Sequence, residues 1–120
     1  MNRTIMTVDD STSMRQMVKA TLQSAGYGVV EAADGQEALE YARENSVDLV
    51  ISDVNMPRMD GITLVGNLRT LPTYRLTPLL LLTTESSHEK KLEGKRAGAT
   101  GWIVKPFNPA QLLATLQKLL

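Results

Sequence analysis

The sequence predicts an α/β fold in which five strands form a parallel sheet and helices cover both of its faces. Short apolar segments alternate with helical patterns along the chain, as in successive strand–helix units. One of these segments, Leu79–Leu82, is apolar on both faces, which is typical of a buried parallel strand. The 120 residues are 42% hydrophobic, enough for one core. We therefore expect residues 1–120 to form a single domain.

Five segments have the length and composition of strands. They are Thr4–Val8, Tyr27–Ala32, Val47–Ser52, Leu79–Leu82 and Gly101–Val104. The second contains Glu31 and is predicted to lie at an edge of the sheet, because a carboxylate is poorly accommodated in a strand that is covered on both faces.

Helical patterns follow each strand. They begin at about Ser13, at Asp34 with Glu37 in a capping-box arrangement, at Gly61, at Ser87, and at Asn108 with Pro109 in the first turn. The first helix is predicted to bury one face and to end at Gly26, with the face formed by Met14, Met17, Val18, Thr21, Leu22 and Ala25. The apolar face of the last helix is Leu112, Leu113, Leu116, Leu119 and Leu120. Five such units suit a flavodoxin-like (βα)5 fold with strand order 2-1-3-4-5.

Composition excludes several classes of function. The chain has no cysteine, so neither a disulfide framework nor a thiolate metal site is possible. Basic and acidic residues balance at 13 each, and there is one Trp, which argues against a nucleic-acid partner. No apolar run approaches the length of a membrane span, and the start does not resemble a signal peptide. We expect a cytoplasmic monomer with no nucleic-acid or membrane partner.

Polar and charged residues follow four of the predicted strands. They are Asp9 and Asp10, Asp53, Thr83 and Thr84, and Lys105. In open parallel sheets, ligands bind at the carboxyl ends of the strands, near the point where the strand order reverses. We expect these residues to share one cleft.

The charge of this cleft predicts a divalent cation. Three carboxylates about 5 Å apart repel one another by roughly 3 kcal/mol per pair at an effective dielectric constant of about 20. Lys105 offsets one negative charge, and a divalent ion would neutralise the other two. Oxygen ligands favour Mg²⁺, or Mn²⁺, over zinc. Such a site suits phosphoryl transfer, with an aspartate as the nucleophile.

Six short motifs occur in order along the chain. They are Val8-Asp9-Asp10-Ser11, Asp53-Val54-Asn55-Met56-Pro57, Met59-Asp60-Gly61, Leu82-Thr83-Thr84-Glu85, Ala97-Gly98-Ala99 and Val104-Lys105-Pro106-Phe107. Together they resemble the motifs of the receiver domains of bacterial two-component systems, and most closely those of the single-domain chemotaxis regulators. They extend from the first strand to the last helix and cover nearly the whole chain.

The resemblance implies a role for each site residue. Asp53 would accept the phosphoryl group, and Lys105 and Thr83 would contact its oxygens. Asp10, Asp53 and the backbone carbonyl of Asn55 would bind Mg²⁺, with Asp9 acting through water. The Lys105–Pro106 peptide bond is commonly cis in this family.

The resemblance also implies a switch. Thr83 and Trp102 would form the switch pair, although the family typically has Tyr or Phe in place of Trp102. Residues Asn55 and Glu85 occupy the positions that set the lifetime of the phosphate. Gly94 lies inside the fourth helix, where it either loosens the helix or permits close packing.

The resemblance implies a regulator that receives phosphate from a sensor histidine kinase. It would catalyse its own Mg²⁺-dependent phosphorylation and dephosphorylation without being a conventional enzyme. Its output partner, for which the flagellar motor switch is one candidate, would bind the face formed by the fourth helix, the fifth strand and the fifth helix. The fourth helix carries Lys90, Lys91, Lys95 and Arg96, which form either a solvated face or a docking site. His88, in the same helix, is expected to be exposed.

Two alternatives remain open, and the sequence argues against a third. The chain could be a phosphate sink or relay intermediate without a motor target, or a receiver from a longer DNA-binding regulator. A phosphatase of the haloacid dehalogenase type also uses an aspartate and Mg²⁺. That chemistry usually has a second Asp two residues after the first as general acid, where this chain has Asn55, which cannot act in that role.

Overall fold

A computed structural model describes residues 2–120 and contains five strands and five α-helices in strict alternation. The strands are β1 (Thr4–Val8), β2 (Gly28–Ala32), β3 (Leu49–Ser52), β4 (Leu79–Thr83) and β5 (Gly101–Val104). The helices are α1 (Thr12–Ser24), α2 (Gly35–Glu44), α3 (Gly61–Arg69), α4 (His88–Ala97) and α5 (Pro109–Leu119).

All five strands pair in parallel, in the order β2-β1-β3-β4-β5. This order confirms the flavodoxin-like prediction and places β2, with Glu31, at an edge. The order in which the chain adds strands reverses between β1 and β3, and the carboxyl ends of these two strands are neighbours in the sheet. Val8 pairs with Ser52 at the last position of both strands.

The sheet separates two apolar cores, which confirms the prediction of helices on both faces. One core joins the sheet to α2 and α3 and includes Met6, Leu39 and Leu64. The other joins it to α1 and α5 and includes Leu22 and Leu116. Residues at successive positions of a strand point to opposite faces, so a strand covered on both faces buries all of its residues and is mostly apolar. All five residues of β4 are buried for this reason.

Each of the five α-helices begins with a polar side chain that accepts a hydrogen bond from a backbone N–H of the first turn. The capping residues are Ser11, Asp34, Asp60, Ser87 and Asn108. This contact satisfies a donor that the helix itself leaves free. The predicted starts at Asp34, Gly61, Ser87 and Asn108 are confirmed.

The structure differs from the sequence prediction in the exposure of α1, in one short helix and in the bounds of three strands. Met17 is 56% exposed and Ala25 is also exposed, because the buried stripe of α1 is narrower than the predicted face. A short 3-10 helix, Pro72–Tyr74, was not predicted. Strand β2 begins one residue later than predicted, β3 begins two residues later, and β4 extends to Thr83. Within residues 2–120, no helix is long and apolar enough to cross a membrane.

Candidate functional site

Three aspartates converge at the carboxyl end of the sheet. Asp9 and Asp10 follow β1, and Asp53 follows β3, so the pairing of these strands brings them together. The backbone N–H of Asp53 donates to the carbonyl of Val8 at 2.9 Å. One carboxylate oxygen from each aspartate lies within 4.8 Å of the other two. Asp9 is buried, Asp53 is half-buried and Asp10 is exposed, so the cluster opens to solvent on the side of Asp10.

Lys105 supplies the one ammonium group that contacts this acidic cluster among the described residues. Its Nζ lies 2.9 Å from Oδ2 of Asp9 and 3.4 Å from Oδ2 of Asp53. Its side chain is only 9% exposed, so these contacts are screened little by water. The Lys105–Pro106 peptide bond is cis, as expected. The sequence prediction that residues from the first, third and fifth strand ends share one cleft is thus seen in the geometry.

Backbone amides hold the two inner carboxylates in place. The N–H of Ser11 donates to Oδ1 of Asp9 at 2.9 Å, and the N–H of Val54 donates to Oδ1 of Asp53 at 2.7 Å. The Oδ2 atoms of Asp9 and Asp53 are the ones that face Lys105. Each side chain therefore has a fixed orientation before any ligand binds.

Gly61 lets α3 start directly against the backbone of Asp53. A Cβ atom at this position would overlap the carbonyl oxygen of Asp53. The N–H of Gly61 donates to the carbonyl of Val54 at 2.8 Å, which closes the loop of residues 53–60. No side chain larger than hydrogen fits without moving Asp53 or α3.

The donor set fits a hard cation. Asp9, Asp10 and Asp53 offer only oxygen atoms, and the described residues contribute no histidine or cysteine to the cluster. Three carboxylates with one ammonium leave a net charge near −2, which a divalent ion balances. Asn55, whose backbone carbonyl is the fourth predicted ligand, is exposed in the loop after Asp53. These features suit Mg²⁺.

Thr83, Glu85 and Trp102 form a second group of contacts, beside the acidic cluster. Thr83 is fully buried at the end of β4, and its Oγ1 accepts from the N–H of Glu85 at 3.2 Å. The carbonyl of Glu85 accepts from Nε1 of Trp102 at 2.9 Å. The backbone N–H of Lys105 donates to the carbonyl of Thr83 at 2.8 Å, so this group is attached to the lysine of the acidic site.

Gly94 makes room for the indole of Trp102. A Cβ at Gly94 would come within 2.9 Å of Cζ3 of Trp102 and within 3.1 Å of Cδ1 of Leu81. Of the two interpretations of Gly94, close packing is therefore the one that the structure supports. Trp102 is half-buried, with its N–H satisfied.

The α4–β5 surface is basic. A cavity of about 240 Å³ is lined by Lys91, Lys95, Ala99, Thr100, Gly101 and Trp102. Lys90 pairs with Glu93 at 3.3 Å, whereas Lys91 and Lys95 are exposed. His88 is the exposed first residue of α4, as expected.

Two arginines make contacts that were not predicted, and one of them, Arg15, contacts the acidic cluster. Nη1 of Arg15 donates to the carbonyl of Asp9 at 2.7 Å, and its Nε pairs with Glu31 at 3.0 Å. Hydrogen bonds from Lys19 and Arg15 hold the pKa of Glu31 below its ordinary value. Charge periodicity along α1 is the only sequence signal that could have indicated this contact.

The second arginine, Arg58, lies in the loop after β3. It forms a bidentate ion pair with Asp34, the capping residue of α2. The hydrogen bond from Arg58, together with that from the N–H of Glu37, lowers the pKa of Asp34. The two residues are far apart in sequence, and neither stands in a motif that links them.

Comparison with known proteins agrees with this geometry. Residues 5–117 match the family of response regulator receiver domains. The chain belongs to this family, whose members are components of two-component signal transduction.

Two of the similar proteins are chemotaxis regulators. Chemotaxis protein CheY-3 of Vibrio cholerae is 40% identical over 119 residues, which cover 98% of this chain and 92% of that protein. The solved structure of Vibrio cholerae chemotaxis protein CheY4 is 57% identical, with a TM-score of 0.95 and full coverage of both chains. This chain is therefore similar to chemotaxis regulators over its whole length.

A third similar protein was solved with a metal ion. The receiver domain of the sensor histidine kinase PA1611 from Pseudomonas aeruginosa has a magnesium ion coordinated in its active site cleft. It is 28% identical to this chain, with a TM-score of 0.92 and coverage of 99% of this chain and 98% of that one.

Proposed function

We propose that residues 1–120 form a single receiver domain that accepts a phosphoryl group on Asp53 from the phosphohistidine of a sensor histidine kinase. The observation that carries the proposal is the convergence of three carboxylates within 4.8 Å beside Nζ of Lys105. Asp53 is the member of this set that is half-buried, contacts the lysine and has one oxygen held by its neighbouring amide.

Asp10, Asp53 and the backbone carbonyl of Asn55 bind Mg²⁺ in this proposal, and Asp9 contributes through water. When bound, the metal ion neutralises negative charge on the transferred phosphoryl oxygens. The oxygen-only donor set supports Mg²⁺, with Mn²⁺ as a substitute, as does the magnesium ion in the related PA1611 receiver.

The transfer step is an in-line displacement at phosphorus. A carboxylate oxygen of Asp53 attacks, the P–N bond to the kinase histidine breaks, and the imidazole nitrogen leaves with the bonding electron pair. Lys105 exchanges part of its contact with Asp53 for one phosphoryl oxygen, and the Thr83 hydroxyl donates to another. In dephosphorylation, water attacks phosphorus, the P–O bond to Asp53 breaks, and inorganic phosphate leaves. In this proposal Asn55 and Glu85, the second residues after Asp53 and Thr83, set the rate of this step.

The signal passes through Thr83 and Trp102 to the face formed by α4, β5 and α5. Donation from Thr83 to the phosphoryl group shifts the hydroxyl that now accepts from Glu85, and Glu85 in turn accepts from Trp102. The output partner binds that face of a cytoplasmic monomer. Similarity to chemotaxis regulators supports the flagellar motor switch as this partner.

The phosphoacceptor role is tested by incubating the protein with acetyl phosphate and Mg²⁺ and measuring intact mass. We expect one phosphoryl adduct, which disappears with EDTA and in the Asp53→Asn variant. A wild-type protein that stays unmodified under these conditions, while a known receiver is labelled in parallel, contradicts the proposal.

The output role is tested separately by pull-down against the motor switch protein, with and without a phosphate mimic and Mg²⁺. We expect retention that depends on the mimic. Normal phosphorylation of Asp53 without retention leaves the receiver chemistry intact and identifies the chain as a phosphate sink or relay intermediate.

A further inference from the structure

The loop of residues 53–60 contains a backbone conformation that its sequence alone does not favour. Arg58 has φ of 65°, the one positive φ of a non-glycine residue in the described part of the chain. A residue with a Cβ atom adopts this left-handed region only when its surroundings hold it there. The contacts of Arg58 identify what holds it.

Arg58 forms a bidentate ion pair with Asp34. Its Nε lies 2.9 Å from Oδ2 and its Nη2 lies 3.0 Å from Oδ1 of that carboxylate. This planar pairing fixes the orientation of both groups. Asp34 is itself immobilised, because its Oδ1 also accepts from the N–H of Glu37 in the first turn of α2. The ion pair therefore joins the loop to a rigid helix.

A backbone contact lies directly beside this ion pair. A Cβ atom at Gly35 would come within 2.6 Å of the carbonyl oxygen of Met59 and within 2.9 Å of its Cβ. The first residue of α2 thus lies against the residue that follows Arg58. The loop is therefore held against α2 at two successive residues. Arg58 is held by its ion pair with Asp34, and Met59 by close packing against Gly35.

The segment that is held in this way includes Asn55. One end of the loop is anchored by the bond from Gly61 to Val54, and the other contacts lie at Arg58 and Met59. A backbone carbonyl cannot turn toward a metal ion by side-chain rotation, so its position depends on the conformation of its loop.

We propose that Asp34 and Arg58 are a positioning pair that holds the 53–60 loop in the conformation in which the carbonyl of Asn55 can bind Mg²⁺. This inference rests on the proposed function of the acidic cluster. Neither residue touches the metal ion or the phosphoryl group. The competing interpretation is an exposed ion pair with no effect on the site, since the Arg58 side chain is 59% exposed.

Two substitutions remove the charges without disturbing the backbone. Asp34→Asn keeps a capping side chain for α2, and Arg58→Asn introduces a residue that tolerates positive φ. The double variant tests whether the two act as one unit. Glu93→Gln is the matched control, because it breaks the exposed Lys90–Glu93 ion pair on α4.

The experiment measures the Kd for Mg²⁺ by calorimetry and, in the metal-free protein, the hydrogen exchange of the backbone amides of residues 54–60 other than Pro57. We expect each single variant to weaken Mg²⁺ binding about tenfold, the lower end of the range for groups that support a metal ligand. The double variant should be no weaker than the worse single variant, and exchange should accelerate in the loop alone. Glu93→Gln should match wild type in both measurements.

A wild-type protein that binds Mg²⁺, together with single variants whose Kd lies within twofold of it, overturns this inference and leaves the proposed function standing. A wild-type protein that binds no Mg²⁺ overturns both. Faster exchange throughout the chain in both single variants would assign the ion pair to general stability and would also overturn the positioning role.

Discussion

Nε1 of Trp102 donates a hydrogen bond to the backbone carbonyl of Glu85, and the N–H of the same Glu85 donates to Oγ1 of Thr83. One residue of the β4–α4 loop therefore joins the buried hydroxyl to the indole. Because these are backbone groups, the link does not depend on the Glu85 side chain. A change in the hydrogen bonding of Thr83 thus has a direct route to Trp102.

Trp102 is the single tryptophan, so intrinsic fluorescence reports on this route. We predict that Mg²⁺ with a phosphate mimic changes the emission of the wild-type protein and that Thr83→Ala abolishes the change. Thr83 is buried and bonded to Glu85, whereas its neighbour Thr84 is exposed, so Thr84→Ala is the matched control and should respond as wild type does. An unchanged wild-type spectrum, with mimic binding proved by calorimetry, would contradict the route.

Gly94→Ala tests the packing of the Trp102 indole against Gly94. The added methyl group would meet both Trp102 and Leu81, so we expect a loss of about 1–3 kcal/mol in the free energy of unfolding. The emission of Trp102 should also shift to the red as the ring moves toward solvent. Chemical denaturation and fluorescence measure the two effects.

Gly66→Ala is its control. Gly66 also lies inside a helix, α3, but a Cβ there would meet nothing within 4 Å. We expect this change to stabilise the protein by about 0.5–1 kcal/mol, because alanine loses less backbone entropy on folding. If Gly94→Ala stabilises the protein to the same extent and leaves the emission unchanged, close packing against Gly94 does not constrain Trp102.

Lys105→Met tests the charge balance of the acidic cluster. Removing the ammonium group raises the net negative charge around Asp9 and Asp53, so Mg²⁺ should bind roughly fivefold more tightly, from about 1 kcal/mol of added attraction. Phosphorylation by acetyl phosphate should nevertheless slow, because one phosphoryl oxygen loses its partner.

Calorimetry and intact mass measure these opposite effects, and Lys118→Met, on the exposed end of α5, is the control. Weaker Mg²⁺ binding in Lys105→Met, with the fold intact, would show that the lysine organises the carboxylates more than it competes with the metal ion.

The ionisation of Asp34 makes the free energy of unfolding depend on pH. The hydrogen bond from Arg58 lowers its pKa in the folded state, whereas in the unfolded chain the pKa is about 3.9. Its stabilising contribution is therefore complete above that value and is lost as the pH falls through the lower folded-state pKa.

We predict that urea unfolding of wild type and Asp34→Asn differs most near pH 6 and that the difference shrinks below about pH 4. A difference that stays constant down to the acid limit of the folded protein would show that ionisation of Asp34 contributes nothing to stability.

Local sequence patterns predicted the elements and the contents of the acidic cleft. Strand ends are the points where apolar segments stop, and parallel pairing then brings Asp9, Asp53 and Lys105 to one edge. Motif order added the roles of Asn55 and Thr83, which remain predictions. These features depend on residues close in sequence or on the topology of the sheet.

Contacts between distant loops were not predictable in this way. Asp34 has a complete local role as a helix cap, and nothing in its neighbourhood indicates a partner 24 residues later. The exposure of Met17 depends on the width of the stripe that α1 buries against the sheet, which the spacing of apolar residues does not determine. The space around Trp102 depends on Gly94, a residue whose lack of a side chain has no single interpretation in sequence.

The central claim is that Asp53, and neither Asp9 nor Asp10, becomes the aspartyl phosphate. Borohydride reduction of the phosphorylated protein converts an aspartyl phosphate to homoserine, which peptide mass spectrometry locates. We predict homoserine at position 53 only, formed when acetyl phosphate and Mg²⁺ are both present. Homoserine at position 9 or 10, or none at position 53 in a protein that carries a phosphoryl adduct, would contradict the account.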